Sequence, residues 1–271
     1  MRLCEAIGRS NPEANGNTLD CFAKLAETKG GYNDGVTDEL LHVFVAVAGG
    51  VFPALAWLWF WLREDAPHPE PRRLIALAFF AGMVTVAIVI PIQKFVAPYL
   101  ATQTLIFTAW SAIEEVTKYF AARVTVLWRR EDDEPIDPVI YMVAVALGFA
   151  AIENMLFLLS PLAGDTVIQT VMTGNLRFVG ATLLHVLSSA VIGVALALSF
   201  YKPRSVKRTY AAVGVILAAL LHSAFNFLIL NTAEEHILRT FGLVWLLLAV
   251  LLGVLEYIKR IHPILKAKFS K

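Results

Sequence analysis

Seven apolar stretches of about 20 residues dominate this 271-residue chain and decide what it can fold into. A helix that crosses a bilayer needs about 20 consecutive, mostly apolar residues. The stretches are 41–62, 74–92, 101–128, 138–159, 178–201, 210–230 and 237–258. We therefore predict an all-α fold, a polytopic bundle of about seven transmembrane helices, with little room left for another domain.

Charge is scarce in the chain, and this shortage supports the membrane assignment. Charged residues make up 17% of the sequence and hydrophobic residues 58%, against about 25% and 45–50% in soluble domains. This composition disfavours a soluble enzyme, a disordered chain and a disulfide-stapled secreted protein. The net charge of +1 argues against nucleic-acid binding, which calls for a basic surface. We expect the lipid bilayer as partner, and no nucleic acid.

The composition divides the chain into three parts. Residues 1–40 form a polar extramembrane segment, residues 41–260 the transmembrane helical domain, and residues 261–271 a basic tail. Cys4 and Cys21 both lie in the first part. In an oxidising exterior they either pair or remain two free thiols, and the sequence leaves both open.

Lysine and arginine alternate between the loops, which predicts the orientation. The loop 63–73 holds three basic residues, the segment 202–209 holds four, and the tail from Lys259 holds five, whereas the intervening loops are poor in them. Basic loops stay on the cytoplasmic side. We therefore predict an outer N-terminus and an inner C-terminus.

Six ionisable side chains lie deep inside the predicted spans. A charged side chain in a bilayer costs about 2.5–3.5 kcal/mol on insertion scales, so it seldom occurs there without a role. The six are Glu114, Glu115, Lys118, Glu153, His185 and His222. Counted from the ends of their spans at about 1.5 Å per residue, they lie near the midplane or between it and the outer leaflet. Four helices that present acids and imidazoles at similar depth predict a functional site inside the bundle.

The spacing of these residues indicates which of them share a helix face. Glu114 and Lys118 are four positions apart, so we expect them to pair. Glu115 lies about 100° further round the helix, so one lysine cannot hold both acids. One carboxyl is then left to act as a general acid or base. Other polar residues on the same faces are Asn154 on the fourth stretch, Ser188 and Ser189 on the fifth, and Asn226 on the sixth.

Four runs of this sequence resemble the motifs of a known family. Residues 114–118, Glu-Glu-Val-Thr-Lys, resemble the EExxK motif of the PrsW family of intramembrane proteases. Residues 148–154 resemble its second motif, which ends in Glu-Asn. His185, followed by small residues, resembles the third, and residues 222–226 resemble the fourth, HxxxN. The four runs occur in order, each in its own predicted span.

The resemblance implies roles for these residues. The family is distantly similar to the CAAX-prenyl protease and bacteriocin-processing group, whose motifs are EExxxR, FxxxH and HxxxN. By that likeness Glu114, with Glu115 beside it, activates the attacking water, and His222 and Asn226 stabilise the oxyanion. Glu153 stands where the group has a histidine, so its role stays open. The implied substrate is a membrane-anchored protein, cut in a prokaryotic cell membrane.

Lys118 is the second departure from that wider group. It takes the place of the group's arginine, one residue earlier in the motif. We assign it a supporting role, together with Asn154.

These residues could support peptide hydrolysis with or without a metal ion. A glutamate can take a proton from water and return it to the leaving amine, so a glutamate-only mechanism needs no metal. Zn²⁺ accepts histidine and carboxylate ligands and keeps an open position for water, so a zinc-dependent mechanism is chemically complete as well. Its ligands would be His185, His222 and one of the three glutamates, for which we choose Glu153. An HExxH motif is absent from the sequence.

Two other functions stay open at this point. Buried acids and histidines also carry ions or protons in transporters, although such proteins often have inverted repeats, and none is visible here. A non-catalytic relative that binds membrane proteins without cutting them is the other alternative. The GxSG and GxGD signatures of other intramembrane proteases are absent.

Overall fold

The computed structural model describes residues 34–63, 69–159, 180–231 and 237–261. This part of the chain forms seven α-helices and no strand, and a 3₁₀ turn, Ala97–Tyr99, follows the second helix. The helices are α1 (Asp34–Leu62), α2 (Arg72–Val96), α3 (Gln103–Thr125), α4 (Asp137–Leu159), α5 (Ala181–Leu198), α6 (Arg204–Asn231) and α7 (Ile237–Ile258). Each coincides with one predicted apolar stretch, and the predicted all-α bundle is confirmed.

Five of the described helices are long and apolar enough to cross a membrane. They are α1 from Val43 onwards, α2, α4, α5 and α6. In α7 the apolar part is shorter, Gly242–Ile258. Helix α3 is long enough but carries two buried glutamates and a buried lysine, which lower its mean hydropathy. The orientation in the membrane stays a prediction.

Helix α4 lies at the centre of the bundle. Residues 137–151 are all buried, and α4 packs against α1, α2 and α5. A helix that is apolar on every side is stable only when neighbours surround it. This central position brings the last two turns of α4 close to α3 and α5, where the polar side chains of the spans meet.

Two glycines allow α2 and α4 to cross at very short range. A Cβ atom added to Gly148 would collide with the carbonyl of Phe79, and one added to Gly82 would collide with the carbonyl of Val145. Small residues at a helix crossing let the backbones approach closely. The crossing fixes the position of α2 along the axis of α4 and therefore positions the residues that follow on both helices.

A second group of buried acids joins the helix ends that are predicted to face the cytoplasm. We call Glu70, Asp132, Asp137 and Tyr141 the end cluster. The Tyr141 hydroxyl donates to Glu70 Oε2, and Glu70 also hydrogen-bonds Asp137. Backbone N–H groups of the loop before α4 donate to Asp137 Oδ2 at 2.8 and 2.6 Å. These bonds fasten the chain before α2 to the start of α4.

The polar segment 1–40 and the basic tail 261–271 are only partly covered by the described residues. Helix α1 begins at Asp34, before the predicted start of the first apolar stretch. Cys4, Cys21 and residues 262–271 lie outside the described residues, so their predictions stand untested.

Candidate active site

Helix α3 places four polar side chains in the interior of the bundle: Ser111, Glu114, Glu115 and Lys118. The Lys118 ammonium donates to Glu115 Oε1 at 2.7 Å, with both side chains fully buried. The predicted pair between Lys118 and Glu114 was wrong. A spacing of three residues joins neighbours on a helix as well as a spacing of four, and here the donors of other helices converge on Glu115.

Glu115 is the most heavily bonded carboxylate of the site. In addition to Lys118, its Oε1 accepts hydrogen bonds from Ser188 Oγ and His222 Nδ1, each at 2.9 Å. Its Oε2 accepts from Ser189 Oγ, also at 2.9 Å. Burial of a charge is tolerated when it is paired and hydrogen-bonded. Glu115 therefore joins α3, α5 and α6 and has little capacity left for a substrate.

His222 is oriented by this carboxylate. An ionised carboxylate only accepts hydrogen bonds, so the proton of the neutral imidazole lies on Nδ1, which faces Glu115. The lone pair of Nε2 then points away from Glu115. The other glutamate of the motif lies on that side, with Oε2 of Glu114 at 3.7 Å from His222 Nε2.

His185 has different partners. Its Nδ1 lies 3.0 Å from Lys118 Nζ, and its Nε2 lies 2.6 Å from Glu153 Oε2. Because an ammonium can only donate, Nδ1 accepts and Nε2 carries the proton that faces Glu153. The rings of His185 and His222 stand nearly perpendicular, with centroids 5.0 Å apart. Glu153 is therefore the outer member of the group, and its side chain is 35% exposed.

Glu114 has one oxygen without a partner. Its residue is only 8% exposed. Oε1 accepts a hydrogen bond from Gln93 Nε2 at 2.8 Å, whereas Oε2 is buried and has no hydrogen-bond partner among the described residues. An unsatisfied buried acceptor costs about 1–3 kcal/mol. Such an atom is suited to a proton, a water molecule or a cation.

The two asparagines of the predicted site form hydrogen bonds between neighbouring helices at its edges. The Asn226 amide donates to Ser111 Oγ at 3.3 Å and ties α6 to α3. The Asn154 amide donates to Thr182 Oγ1 at 2.9 Å and ties α4 to α5. Six of the predicted residues are linked directly by the contacts above. We call Glu114, Glu115, Lys118, His185 and His222, with Glu153 at its edge, the site cluster.

The site cluster contains donor atoms that suit a metal ion. Glu114, His185 and His222 each offer one ligand atom, and these atoms lie within 4.8 Å of one another. Two imidazole nitrogens and one carboxylate oxygen form a donor set typical of zinc. The unpartnered Oε2 of Glu114 fits such a ligand role. This triad includes two residues of the predicted ligand set but has Glu114 as its carboxylate, whereas Glu153 contacts His185.

Sequence reasoning did not find Gln93. It lies in the last turn of α2, a helix that carries none of the four motifs. Its signal in the sequence is weak, an amide two residues after Pro91 at the end of an apolar stretch. The partner 21 positions away is apparent only once α2 and α3 are packed together.

The sequence is similar to known proteins over most of the helical bundle. A profile described as PrsW family intramembrane metalloprotease matches residues 70–255, a range that includes every residue of the site cluster. The chain belongs to the PrsW family. It is 29% identical over 198 residues to Protease PrsW of Geobacillus kaustophilus, with 69% of this chain and 81% of that protein covered.

Two further relatives of this PrsW-family chain carry the same name. Protease PrsW of Bacillus subtilis is 22% identical over 190 residues, covering 69% of this chain and 84% of the relative. Protease PrsW of Clostridioides difficile is 26% identical over 179 residues, covering 63% and 74%. No solved structure gives a significant match. The predicted family and enzyme class are confirmed: the chain is an intramembrane protease, a peptide hydrolase.

Proposed function

We propose that this chain cuts membrane-anchored proteins inside a bacterial cell membrane and that Glu114 activates the attacking water. The observation that carries the proposal is the buried, unpartnered Oε2 of Glu114, which lies 3.7 Å from His222 Nε2. Peptide hydrolysis needs a base for water, a proton donor for the leaving amine and a donor for the oxyanion. The residues around Glu114 supply these functions.

Glu114, His185 and His222 would hold a divalent cation, and zinc suits their donor set. Bound there, the ion would supply Lewis-acid polarisation of the substrate carbonyl. The tautomer of His222 supports a ligand role, because Nδ1–H is directed to Glu115 and Nε2 keeps its lone pair. Metal-binding histidines usually have such a carboxylate on their other nitrogen.

The proton steps belong to the glutamates. When no cation occupies Oε2 of Glu114, this oxygen takes a proton from the attacking water and later returns it to the nitrogen of the leaving amine. Glu153 Oε2 accepts the Nε2–H of His185 and holds the ring. The lone pair of His185 lies on Nδ1, so the ring would have to release Lys118 before it offered that lone pair to a cation. The Asn226 amide is anchored on Ser111 by one N–H, and its second N–H would stabilise the oxyanion. Glu115 and Lys118 keep the two histidines in place.

Purified chain in detergent, mixed with a panel of tagged single-span proteins, tests the proposal. We expect Glu114→Gln to lower the cleavage rate by about 100-fold or more, as for loss of a general base. Glu131→Gln is the control, since this residue pairs with Arg73 in a loop outside the bundle. Full cleavage activity in Glu114→Gln would refute the assignment of the base.

The metal is tested separately. We expect zinc to co-purify with the chain in roughly equimolar amount, and to be lost together with activity on treatment with a chelator. His222→Ala should bind much less zinc than the unchanged chain. Cleavage that persists in chelator with no bound metal would leave the glutamate-only mechanism in place and refute the metal site.

A further inference from the structure

We propose that Gln93 is a positioning residue that orients the Glu114 carboxylate for catalysis. The inference rests on the proposed role of Glu114. Gln93 Nε2 donates to Glu114 Oε1 at 2.8 Å, across the interface of α2 and α3. Neither the four motifs nor the metal triad includes this glutamine.

The hydrogen bond selects one orientation of the carboxylate. The terminal torsion of a glutamate is broad, so an unrestrained carboxylate exchanges its two oxygens easily. With Oε1 bound to Gln93, Oε2 is the oxygen that faces His222, at 3.7 Å from its Nε2. Pre-organisation of this kind places the reactive oxygen before substrate arrives.

The chemistry of an amide suits this task. The cationic and hydroxyl donors Lys118, Ser188 and Ser189 each donate to Glu115, and none of them donates to Glu114. Among the described residues, Gln93 is the side chain that donates to Glu114. Being neutral, it satisfies one oxygen without adding a counter-ion, so the charge of Glu114 remains available to a water molecule or a cation.

An apolar layer holds the two helices in this register. Val86 and Val89 of α2 pack with Phe149 of α4, and three partly buried isoleucines, Ile90, Ile113 and Ile152, pack against them. Ile90 lies one turn before Gln93, and Ile113 directly precedes Glu114. The layer therefore lies next to the hydrogen bond and limits the movement of both backbones.

Gln93→Met removes the amide donor while keeping a similar length and volume. We expect kcat for a tagged single-span substrate to fall about 10- to 100-fold, with KM changed less than about twofold, since the substrate-binding surface is unchanged. Zinc affinity, measured by competition with a chromogenic chelator, should fall about 10- to 100-fold, as for other residues that orient a ligand. Lys94→Met is the matched control, because Lys94 is the exposed next residue on α2.

A double-mutant cycle separates positioning from a general effect on folding. In the Glu114→Gln background, Gln93→Met should change zinc affinity no further, because its effect passes through the Glu114 carboxylate. Gln93→Glu keeps the shape but places an acceptor against an acceptor, and we expect it to lose at least as much kcat as Gln93→Met. Both variants leave Glu114 Oε1 without its donor, so we expect each to unfold at a lower temperature than the parent and to remain folded at the assay temperature.

Two results would overturn the inference, and they differ. Unchanged kcat and zinc affinity in Gln93→Met, with both lost in Glu114→Gln, refute the role of Gln93 and leave the proposed function intact. Full activity in Glu114→Gln refutes the proposed function and this inference together.

Discussion

The site cluster and the end cluster both bury carboxylates in an apolar bundle, yet they differ in how those carboxylates are paired. In the end cluster the acids bind a tyrosine hydroxyl, each other and the backbone N–H groups of a loop. In the site cluster they meet a lysine of α3 and two histidines, one on α5 and one on α6. The first arrangement joins chain segments, whereas the second also brings together groups that are able to take up and release protons.

Glu114 and Glu115, within one turn of α3, also differ in how their carboxylates are paired. Glu115 has four hydrogen-bond donors, and Glu114 has one. A fully satisfied carboxylate is a structural element, and a buried oxygen without a partner is available for chemistry. Burial alone does not distinguish the two glutamates, whereas their hydrogen-bond partners do, and we propose the less bonded one, Glu114, as the reactive residue.

Removal of the charge of Glu115 is the strongest test of the difference between Glu115 and Glu114. Glu115→Gln leaves the buried ammonium of Lys118 without its counter-ion, so we expect a loss of about 3–5 kcal/mol of unfolding free energy. Thermal unfolding in detergent measures this. Glu256→Gln is the matched control: it removes a Glu–Lys pair of the same spacing and the same 2.7 Å distance on the surface. We expect it to unfold like the parent. Equal stability of the two variants would contradict the structural role of Glu115.

Tyr141→Phe tests the end cluster with a smaller effect. The substitution removes the hydroxyl that donates to buried Glu70, so we expect a loss of about 1–2 kcal/mol of unfolding free energy. The cleavage rate of the folded protein should stay within about twofold of the parent. Tyr210→Phe, at an exposed position of α6, should change neither quantity. A fall in kcat at full stability would show that the end cluster takes part in the reaction.

Asp132 gives an effect of similar size that is confined to one pH range. Burial raises the pKa of this carboxyl from 3.8 to about 6, although its Oδ2 accepts the Trp128 N–H at 2.7 Å. The folded state therefore disfavours the ionised form, and stability from this group falls as pH rises from about 4 to 6. Asp132→Asn should raise the unfolding temperature at pH 7.5 by an amount equivalent to about 1–2 kcal/mol, and leave it unchanged near pH 4.

Asp133→Asn, at the exposed next position, is the control for this prediction. Its unfolding temperature should follow that of the parent at both pH values. An Asp132→Asn variant that is stabilised equally at pH 4 and pH 7.5 would contradict the assigned ionisation.

Much of the fold was predictable because a bilayer restricts what an apolar chain can do. Within a bilayer a segment must satisfy its backbone hydrogen bonds internally, so about 20 apolar residues predict one helix. The seven stretches and the seven described helices agree for this reason. The central position of α4 was less apparent, because apolarity on all sides also fits a helix that faces lipid.

The membership of the site was predictable for the same reason, and its partners were not. Ionisable residues are so costly within a span that Glu114, Glu115, Lys118, Glu153, His185 and His222 could be selected from the sequence. Spacing on α3 predicted a pair between Glu114 and Lys118, and the structure instead pairs Lys118 with Glu115. Both spacings join neighbours on a helix, so only the donors that α5 and α6 bring to Glu115 decide between them.

The sequence by itself determined the helices, the family and the small set of ionisable side chains that lie within the apolar spans. Only the tertiary structure decided that Glu114 keeps an unpartnered oxygen, that Glu115 is saturated and that Gln93 reaches the site from α2. The physical reason is that the free-energy cost of burying a charge depends on the residue type, which the sequence gives directly. The hydrogen bonds that offset this cost come from residues far along the chain, which only the packing of the helices brings together.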